Sequence, residues 1–423
     1  MERYVRLLKE CGVGEWFIRQ ESRTSNELFF IKKKLDMRRI KDVTDANIAV
    51  YKDEEKDGKK LKGRTDIIVS ASMSDEEIKK KIEGAKYAAG FSLNKFYELP
   101  KPEKSDTVIK ESDLNGKTLS DIADAFVKAA YEEDSDKEAF INSLELFVEE
   151  IKVKMLGSNG TDVSFVKRQV KGEFVAQCKT PQDVETHRSF SYDTMALKEL
   201  KKLIADTLTM TKDRATATEM PAKGDYDVLL SDMYVPDIFD LYGSRAHAAY
   251  IYPGYSNYEV GKPVQGEDIK GDLINADFLP DNPFNAEGIK MIEREFIKDG
   301  ILKTLHGDQR LSYYLNIPQI GTYGKVRVKE GKVSFADMKR SCLHVVNFSD
   351  FQVDPLDGSF KGEIRLAYKY DENGNKTCLT GGSVNGNLLK CQSDLMFSKE
   401  TEKLSNYEGP LAIKFKKVSV SGR

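Results

Sequence analysis

The sequence predicts an α+β protein, with an N-terminal mixed α/β region in two subparts followed by a strand-rich C-terminal domain. Three observations carry that prediction. Helical and strand patterns alternate through residue 212, and strand patterns dominate after residue 225. Between them lies a small, polar run, Ala215-Thr216-Ala217-Thr218-Glu219-Met220-Pro221-Ala222-Lys223-Gly224. At 423 residues the chain exceeds what one core usually serves. The expected divisions are 1–100 and 101–212 for the two N-terminal parts, 213–225 for a linker, and 226–423 for the C-terminal domain.

Each element has a local reason. Trp16 to Arg19, Leu28 to Lys33, Asn47 to Lys52 and Asp66 to Ser70 read as short strands, with Asp57-Gly58 a turn between the last two. Ser74-Asp75-Glu76-Glu77 is a capping box, in which the Ser74 hydroxyl takes the Glu77 amide and the Glu77 carboxylate reaches back. Ile78, Ile82, Ala85 and Ala89 line one face of the helix it opens, and Gly90 ends it. Residues 97–118, rich in Lys, Pro, Asp and Ser, form a connector. A helix through Leu119, Ile122 and Phe126 follows, then a strand from Leu144 to Met155. Gly157-Ser158-Asn159-Gly160 turns that strand into another, Val163 to Cys178. A third helix spans roughly Asp193 to Leu208, with Leu197, Leu200, Ile204 and Leu208 inward.

Beyond the linker, Asn285 is placed to cap a helix whose Ile289, Ile292 and Phe296 share a face and which Gly300 stops. Strands follow at Lys325 to Val328, Gly362 to Tyr370 and Leu411 to Val420. The turn Asp371-Glu372-Asn373-Gly374-Asn375 reads as a hairpin connection.

Composition narrows the function. A net charge of −3, from 66 basic and 69 acidic side chains, makes no chain-wide field for a polyanion, so no direct nucleic-acid binding is expected. The five cysteines, Cys11, Cys178, Cys342, Cys378 and Cys391, are widely spaced and contain no CxxC pair, the pattern of reduced thiols in a cytoplasmic protein. Charges fill the start, Met1 to Glu10, where a signal peptide needs an apolar core. Nowhere do eighteen apolar residues run together, so neither secretion nor membrane spanning is expected. No Gly-x-Ser-x-Gly elbow supports a serine hydrolase, and no base neighbours Cys378 or Cys391.

Several segments stand in a characteristic order after residue 225: Tyr226 to Leu230, Gly254-Tyr255-Ser256 to Gly261, Asp277-Phe278-Leu279-Pro280-Asp281 and Phe284-Asn285-Ala286-Glu287-Gly288. After them come Gly300-Ile301-Leu302, Asp308, Gly321-Thr322-Tyr323-Gly324, Val353 to Phe360, Gly381 to Asn387 and Val418 to Gly422. This ordered set resembles the TldD/PmbA family, metallopeptidase-related proteins once described as modulators of DNA gyrase. The stretch Val353-Asp354-Pro355-Leu356-Asp357-Gly358-Ser359-Phe360 resembles the PmbA (TldE) branch, and weaker likeness extends over nearly the whole chain. Two departures stand out: Asn285 where the family has an acidic residue, and Lys361-Gly362-Glu363-Ile364-Arg365 where it has small residues.

The TldD branch carries a His-Glu-x-x-x-His helix, on which two imidazoles hold zinc and the glutamate takes a proton from the metal-bound water. Aligned on His247, this chain has Tyr242 at the first histidine and Gly243 at the base. A cysteine ligand would fall in Ser405-Asn406-Tyr407-Glu408-Gly409-Pro410, which has none. The resemblance therefore implies no catalytic residue and no metal in this chain, with zinc in a TldD-type partner. His247 is otherwise a helix histidine hydrogen-bonded near the surface, and His187, His306 and His344 show no ligand spacing. Gly381, Gly382, Asn385, Gly386 and Asn387 are candidates for holding a peptide backbone, or else form a tight bend between strands. The expected role is that of a noncatalytic subunit, paired with a TldD-type chain or with itself in a dimer, acting on unfolded or leader peptides. The alternatives are an independent hydrolase with an altered site and a regulatory, gyrase-modulator-like binding protein.

Overall fold

Three sheets organise the chain, and the computed structural model describes residues 1–135 and 138–423. The N-terminal sheet is built from β1 (Glu15–Ile31), β2 (Lys34–Lys56), β3 (Lys59–Ser70), β4 (Leu93–Lys95), β5 (Val108–Ile109), β6 (Ala139–Gly157), β7 (Asp162–Cys178) and β8 (Val184–Tyr192). Its order is β4-β3-β2-β1-β6-β7-β5, with β8 also on β7. The helices α1 (Glu2–Glu10) and α2 (Asp75–Ala89) cover one end, while α3 (Leu119–Glu132) and α4 (Leu197–Thr216) cover the other.

The capping box at Ser74 is present, with the Glu77 amide on Ser74 Oγ and the Ser74 amide on the Glu77 carboxylate. Ile78, Ile82, Ala85 and Ala89 are buried as their spacing requires. Gly90 does end the helix, but in right-handed rather than left-handed geometry, with φ −68°. Asp57 and Gly58, both at positive φ, turn β2 into β3.

Four expectations need correction. Trp16 to Arg19 and Leu28 to Ile31 lie on one continuous strand, β1, since the polar residues between them are held in register by β2 and β6 on either side, and Lys32 and Lys33 turn it into β2. Side-chain ion pairs such as Arg23 with Glu149 satisfy the charges on that face. The third helix starts at Leu197, not Asp193, and runs on to Thr216, so residues 213–216 of the expected linker are helical. Lastly, Asn285 to Gly300 is no helix. Asn285 Oδ1 does accept the amides of Glu287 and Ile289, but in a loop, and Arg294–Lys298 forms a strand. Asp299 and Gly300, both at positive φ, then turn that strand back on itself.

After α4 come β9 (Gly224–Ser231), α5 (Tyr234–Ala246), α6 (Ala248–Ile251), β10 (Ala276–Leu279), β11 (Arg294–Lys298), β12 (Ile301–Leu302), α7 (Gln309–Leu315) and β13 (Lys325–Val328). The chain continues through α8 (Phe335–Met338), β14 (Cys342–Val353), β15 (Ser359–Tyr370), β16 (Lys376–Leu379), β17 (Ser383–Asn387) and α9 (Leu388–Cys391). It ends with β18 (Met396–Phe397), β19 (Thr401–Leu404), β20 (Tyr407–Pro410) and β21 (Ala412–Ser421). One sheet has the order β12-β11-β10-β13-β20-β19. The other runs β14-β9-β21-β17-β15-β16, and a further pairing of β14 with β15 closes it on itself. Closure removes free edges, and α5 packs between the two sheets through Ile238, Phe239, Leu241 and Tyr242.

The Glu287-Gly288 pair ties the two halves of the chain together. Gly288, at φ +77°, lies where an added Cβ would stand 2.9 Å from Thr161, in the turn between β6 and β7, and 3.2 Å from Phe17 on β1. Glu287 takes the Gln309 amide on both carboxylate oxygens, and burial pushes its pKa up to about 7 against the opposing pull of that amide and of Arg64. Below the unfolded pKa both states hold the proton. As pH rises from about 4.5 towards 7, the unfolded chain releases it first, so stability falls through that window and levels off above it. The side chain keeps some contact with solvent, which limits the effect to about 2 kcal/mol. We expect Glu287→Gln to raise Tm over wild type by several degrees at pH 8 and hardly at all at pH 4.5. Scanning calorimetry at the two pH values checks this, and equal differences at both would refute it.

Candidate functional site

The positions that would carry a hydrolytic metal lie at the end of α5. After β9 the chain turns through Asp232, at φ +60°, and enters α5, which is buried over most of its length between the sheets. Tyr242 is among the largest fully buried side chains, and its hydroxyl donates to Gln392 Oε1 at 3.0 Å. Gly243 offers only its carbonyl, which accepts from His306 Nε2 at 3.0 Å. The helix stops at Ala246, so His247 sits beyond it in extended geometry, at ψ 138°, rather than one turn along its face. There it caps α6, its Nδ1 accepting the Ala249 amide at 3.0 Å, while Nε2 meets Thr322 Oγ1 at 3.1 Å.

His306 is the residue that sequence reasoning missed. Its ring lies 4.9 Å from that of His247, nearly perpendicular, and the two residues form a backbone bridge. Nothing in their spacing of 59 positions signals this, because a parallel bridge between distant loops creates it. Burial drives the His306 pKa down to about 3, and burial also lowers that of His247. Both rings are therefore neutral. The Tyr323 amide donates to His306 Nδ1, so its Nε2 carries the hydrogen given to Gly243. By the same reasoning His247 Nε2–H donates to Thr322. Every ring lone pair is already accepting a backbone amide, and neither imidazole has one left for a metal. The residues present do not fit a zinc ion.

A cavity of about 160 Å³ opens beside this pair, lined by Asp240, Ser244, His247, Thr322 and Asn406 among others. Asp240 is the one carboxylate on that lining, and burial raises its pKa. The arrangement can hold a small polar group.

A much larger cleft, about 1480 Å³, runs between β8 and α4 on one side and the C-terminal sheets on the other. Arg188, buried on β8, crosses it to donate to the Val346 carbonyl at 3.2 Å. Ser231 Oγ lies 2.8 Å from His344 Nε2 on its wall. This is no nucleophilic pair: burial holds the His344 pKa near 3, and Nδ1 has no carboxylate to stabilise an imidazolium. Glu402, also on the wall, is pushed up to about 7 by burial and by Asp232.

The glycine-rich candidates form the bend into β17 and the strand itself. Gly381 and Gly382 have positive φ. β17 is paired with β15 on one side and β21 on the other, so it has no free edge along Ser383 to Asn385 for an added strand. A Cβ on Gly386 would stand 2.1 Å from the Phe360 ring, and one on Gly382 would stand 2.1 Å from the Ser421 carbonyl oxygen. Asn387 caps α9 through the Lys390 amide and donates to the Asp357 carbonyl. Asn385, exposed, donates to Ser383 Oγ at 3.0 Å. These residues lie on the closed sheet, apart from the His247 cavity.

Residues 223–422 match the model of the PmbA/TldA metallopeptidase C-terminal domain. TldE from Thermococcus kodakarensis is similar in structure, with a TM-score of 0.76 at 16% identity, covering 99% of this chain and 100% of that one. A proposed modulator of a DNA gyrase from Thermotoga maritima gives 0.75 at 16% identity, covering 99% of each chain. One from Bacteroides thetaiotaomicron gives 0.74 at 16%, covering 100% of this chain and 98% of that one. No curated protein matches the sequence. At such identity the structural likeness is one of fold, and it extends over the N-terminal region that the family model leaves out.

Proposed function

Because residues 223–422 match the C-terminal domain of the PmbA/TldA metallopeptidases, we propose that this chain is a noncatalytic, PmbA/TldE-like subunit of a TldD-type zinc metallopeptidase complex. What supports this reading above all is that His247 and His306 spend every ring lone pair on backbone amides, where a metallopeptidase needs them free. Gly243 adds no side chain at the position of the general base, and Tyr242 is turned inward on Gln392. A peptidase-like domain without metal or base keeps its use if its surfaces enclose a substrate for another subunit. The 1480 Å³ cleft, with acidic and basic side chains on its walls, is large enough to take an extended peptide segment. The zinc, with the activated water it supplies, would belong to the partner. We further propose unfolded or leader peptides as the substrate class and the cytoplasm as the compartment. Among the described residues no helix is long and apolar enough to cross a membrane.

The independent-hydrolase reading finds less support. Burial raises the pKa of Cys391 to about 12 and of Cys342 to about 11, which keeps both thiols protonated and poorly nucleophilic at neutral pH.

Elemental analysis tests the central point. Purified without added metal, the protein should carry far less than one zinc per chain, and His247→Ala should change that little. Stoichiometric zinc that disappears in His247→Ala would overturn the noncatalytic reading.

A further inference from the structure

Arg188 is a cation buried on the wall of the large cleft with little to hold it. It stands on β8, is 4% exposed, and lines the cleft. A guanidinium carries five N–H donors and no acceptor. Among the described residues only one oxygen lies within hydrogen-bond distance, the Val346 carbonyl, 3.2 Å from Nη2. The terminal nitrogens otherwise meet sulfur: Met233 Sδ is 3.2 Å from Nη1, and Met210 Sδ is 3.8 Å from Nη2. Thioethers are weak acceptors. Nε has no partner, and the one carboxylate near the guanidinium, Asp232, stays at 3.9 Å, too far for a hydrogen bond.

The chain satisfies its other sheltered arginines far better. Arg168, on the neighbouring β7, gives Nε and Nη2 to Glu150 and Nη1 to the Leu114 and Lys117 carbonyls. Arg245, 6% exposed, gives its terminal nitrogens to the Pro355 and Leu356 carbonyls and to Asn257 Oδ1. Taking an ionised group out of water without a paired charge and full hydrogen bonding is costly. Tying β8 to the Val346 carbonyl uses one donor, and a neutral amide side chain could supply it. That bond does not account for the charge.

We propose that Arg188 is the receptor for a carboxylate of the peptide that enters this cleft, an assignment that rests on the cleft's role in peptide binding. A carboxylate presents two coplanar oxygens that match the guanidinium fork and take two parallel, charge-assisted hydrogen bonds. The sulfurs of Met233 and Met210 now stand at the two terminal nitrogens that would donate them. Met233 is 43% exposed and lines the cleft. Its unbranched side chain, with three rotatable bonds, can swing aside for a stronger acceptor. A singly charged carboxylate suits the place better than a phosphate, because Asp232 beside the guanidinium repels a second negative charge. On a peptide that carboxylate comes from the chain terminus or from an Asp or Glu side chain, and the same fork takes either.

Isothermal titration of the full chain with short N-acetylated peptides of Gly, Ser and Ala tests this. The form with a free C-terminal carboxylate should bind about tenfold more tightly, or better, than its C-terminal amide, as expected when hydrogen bonds to a charged group go unmade. An amidated peptide with one internal Asp separates the two sources. Tight binding regained supports the site for side-chain carboxylates, and tight binding not regained supports it for the chain terminus. Arg188→Met fills similar space without charge, and it should bind the acid as weakly as wild type binds the amide. The comparison of acid with amide needs no variant, so it decides the matter if Arg188→Met fails to fold. Equal binding of acid and amide by wild type would overturn the carboxylate site and leave peptide binding by the cleft standing. An acid preference that survives in folded Arg188→Met would overturn the assignment to Arg188. If no peptide binds in any form, the peptide reading of the cleft fails and the site falls with it.

Discussion

Alone, this protein should leave an unfolded peptide intact, and mixed with a TldD-type chain from the same cell it should form a stable complex with metal-dependent cleavage. The expected contrast is all or nothing. Removing one essential group of a hydrolytic site typically costs several orders of magnitude, and groups that act as a unit are not additive. On the proposed reading the base position is a glycine, and both neighbouring imidazoles have their lone pairs on backbone amides, so no residual route through these residues is expected. Peptide binding and water activation can be divided between two chains when the surfaces of one close around the metal of the other. Peptide fragmentation followed by mass spectrometry, with and without a chelator, reads the result. Robust cleavage by this chain alone in chelator, or no association with any TldD-type chain, would sink the proposed function.

The second large effect is on stability. Gly382→Ala should destabilise the C-terminal domain by about 3 kcal/mol or more. The left-handed conformation at φ +76° costs a side-chain-bearing residue roughly 1–2 kcal/mol, and forcing a methyl into filled space costs about 1–3 kcal/mol further. The obstacle is the Ser421 carbonyl oxygen, 2.1 Å from the added carbon, and backbone cannot rotate away as a side chain can. Gly374→Ala is the matched control, since Gly374 has φ +83° with nothing within 4 Å of an added Cβ. It should lose only the conformational part. Urea unfolding of the two variants separates them. If both shift the midpoint equally, the packing account of Gly382 fails, and its glycine would then be better explained by close approach of a bound peptide.

Much of the N-terminal region could be read directly because its signals are local. The Ser74 box, the Asp57-Gly58 turn and the stripe Ile78, Ile82, Ala85, Ala89 depend on residues within a few positions of one another, and each acts as its pattern implies. The segment after Asn285 shows where local reading ends. Ile289, Ile292 and Phe296 do recur at helical spacing, yet Ile292 is 46% exposed and Phe296 sits on a strand facing the core. Pairing of Arg294 to Ile297 with the distant Ala276 to Phe278 outweighs the periodic pattern, and only the assembled sheet supplies that partner.

The candidate site divides in the same way. By itself the sequence determined that Tyr242 and Gly243 supply neither an imidazole nor a carboxylate at the positions that the resemblance aligns with a ligand and a base, since residue identity alone decides what chemistry a side chain can perform. It also carried the resemblance to the TldD/PmbA family, through the order of motifs after residue 225, and residues 223–422 match that family's C-terminal domain. Only the tertiary structure decided that His306 lies against His247 and that both rings are spent on amides. It alone decided that β17 is walled in on both sides while, among the described residues, the edge of β2 from Met37 to Val43 has no partner strand. The physical reason is common to all of these. Whether a lone pair, an amide or a strand edge is free depends on which distant groups the fold brings to it, and a hydrogen bond across dozens of residues leaves no mark on the spacing of the residues that make it.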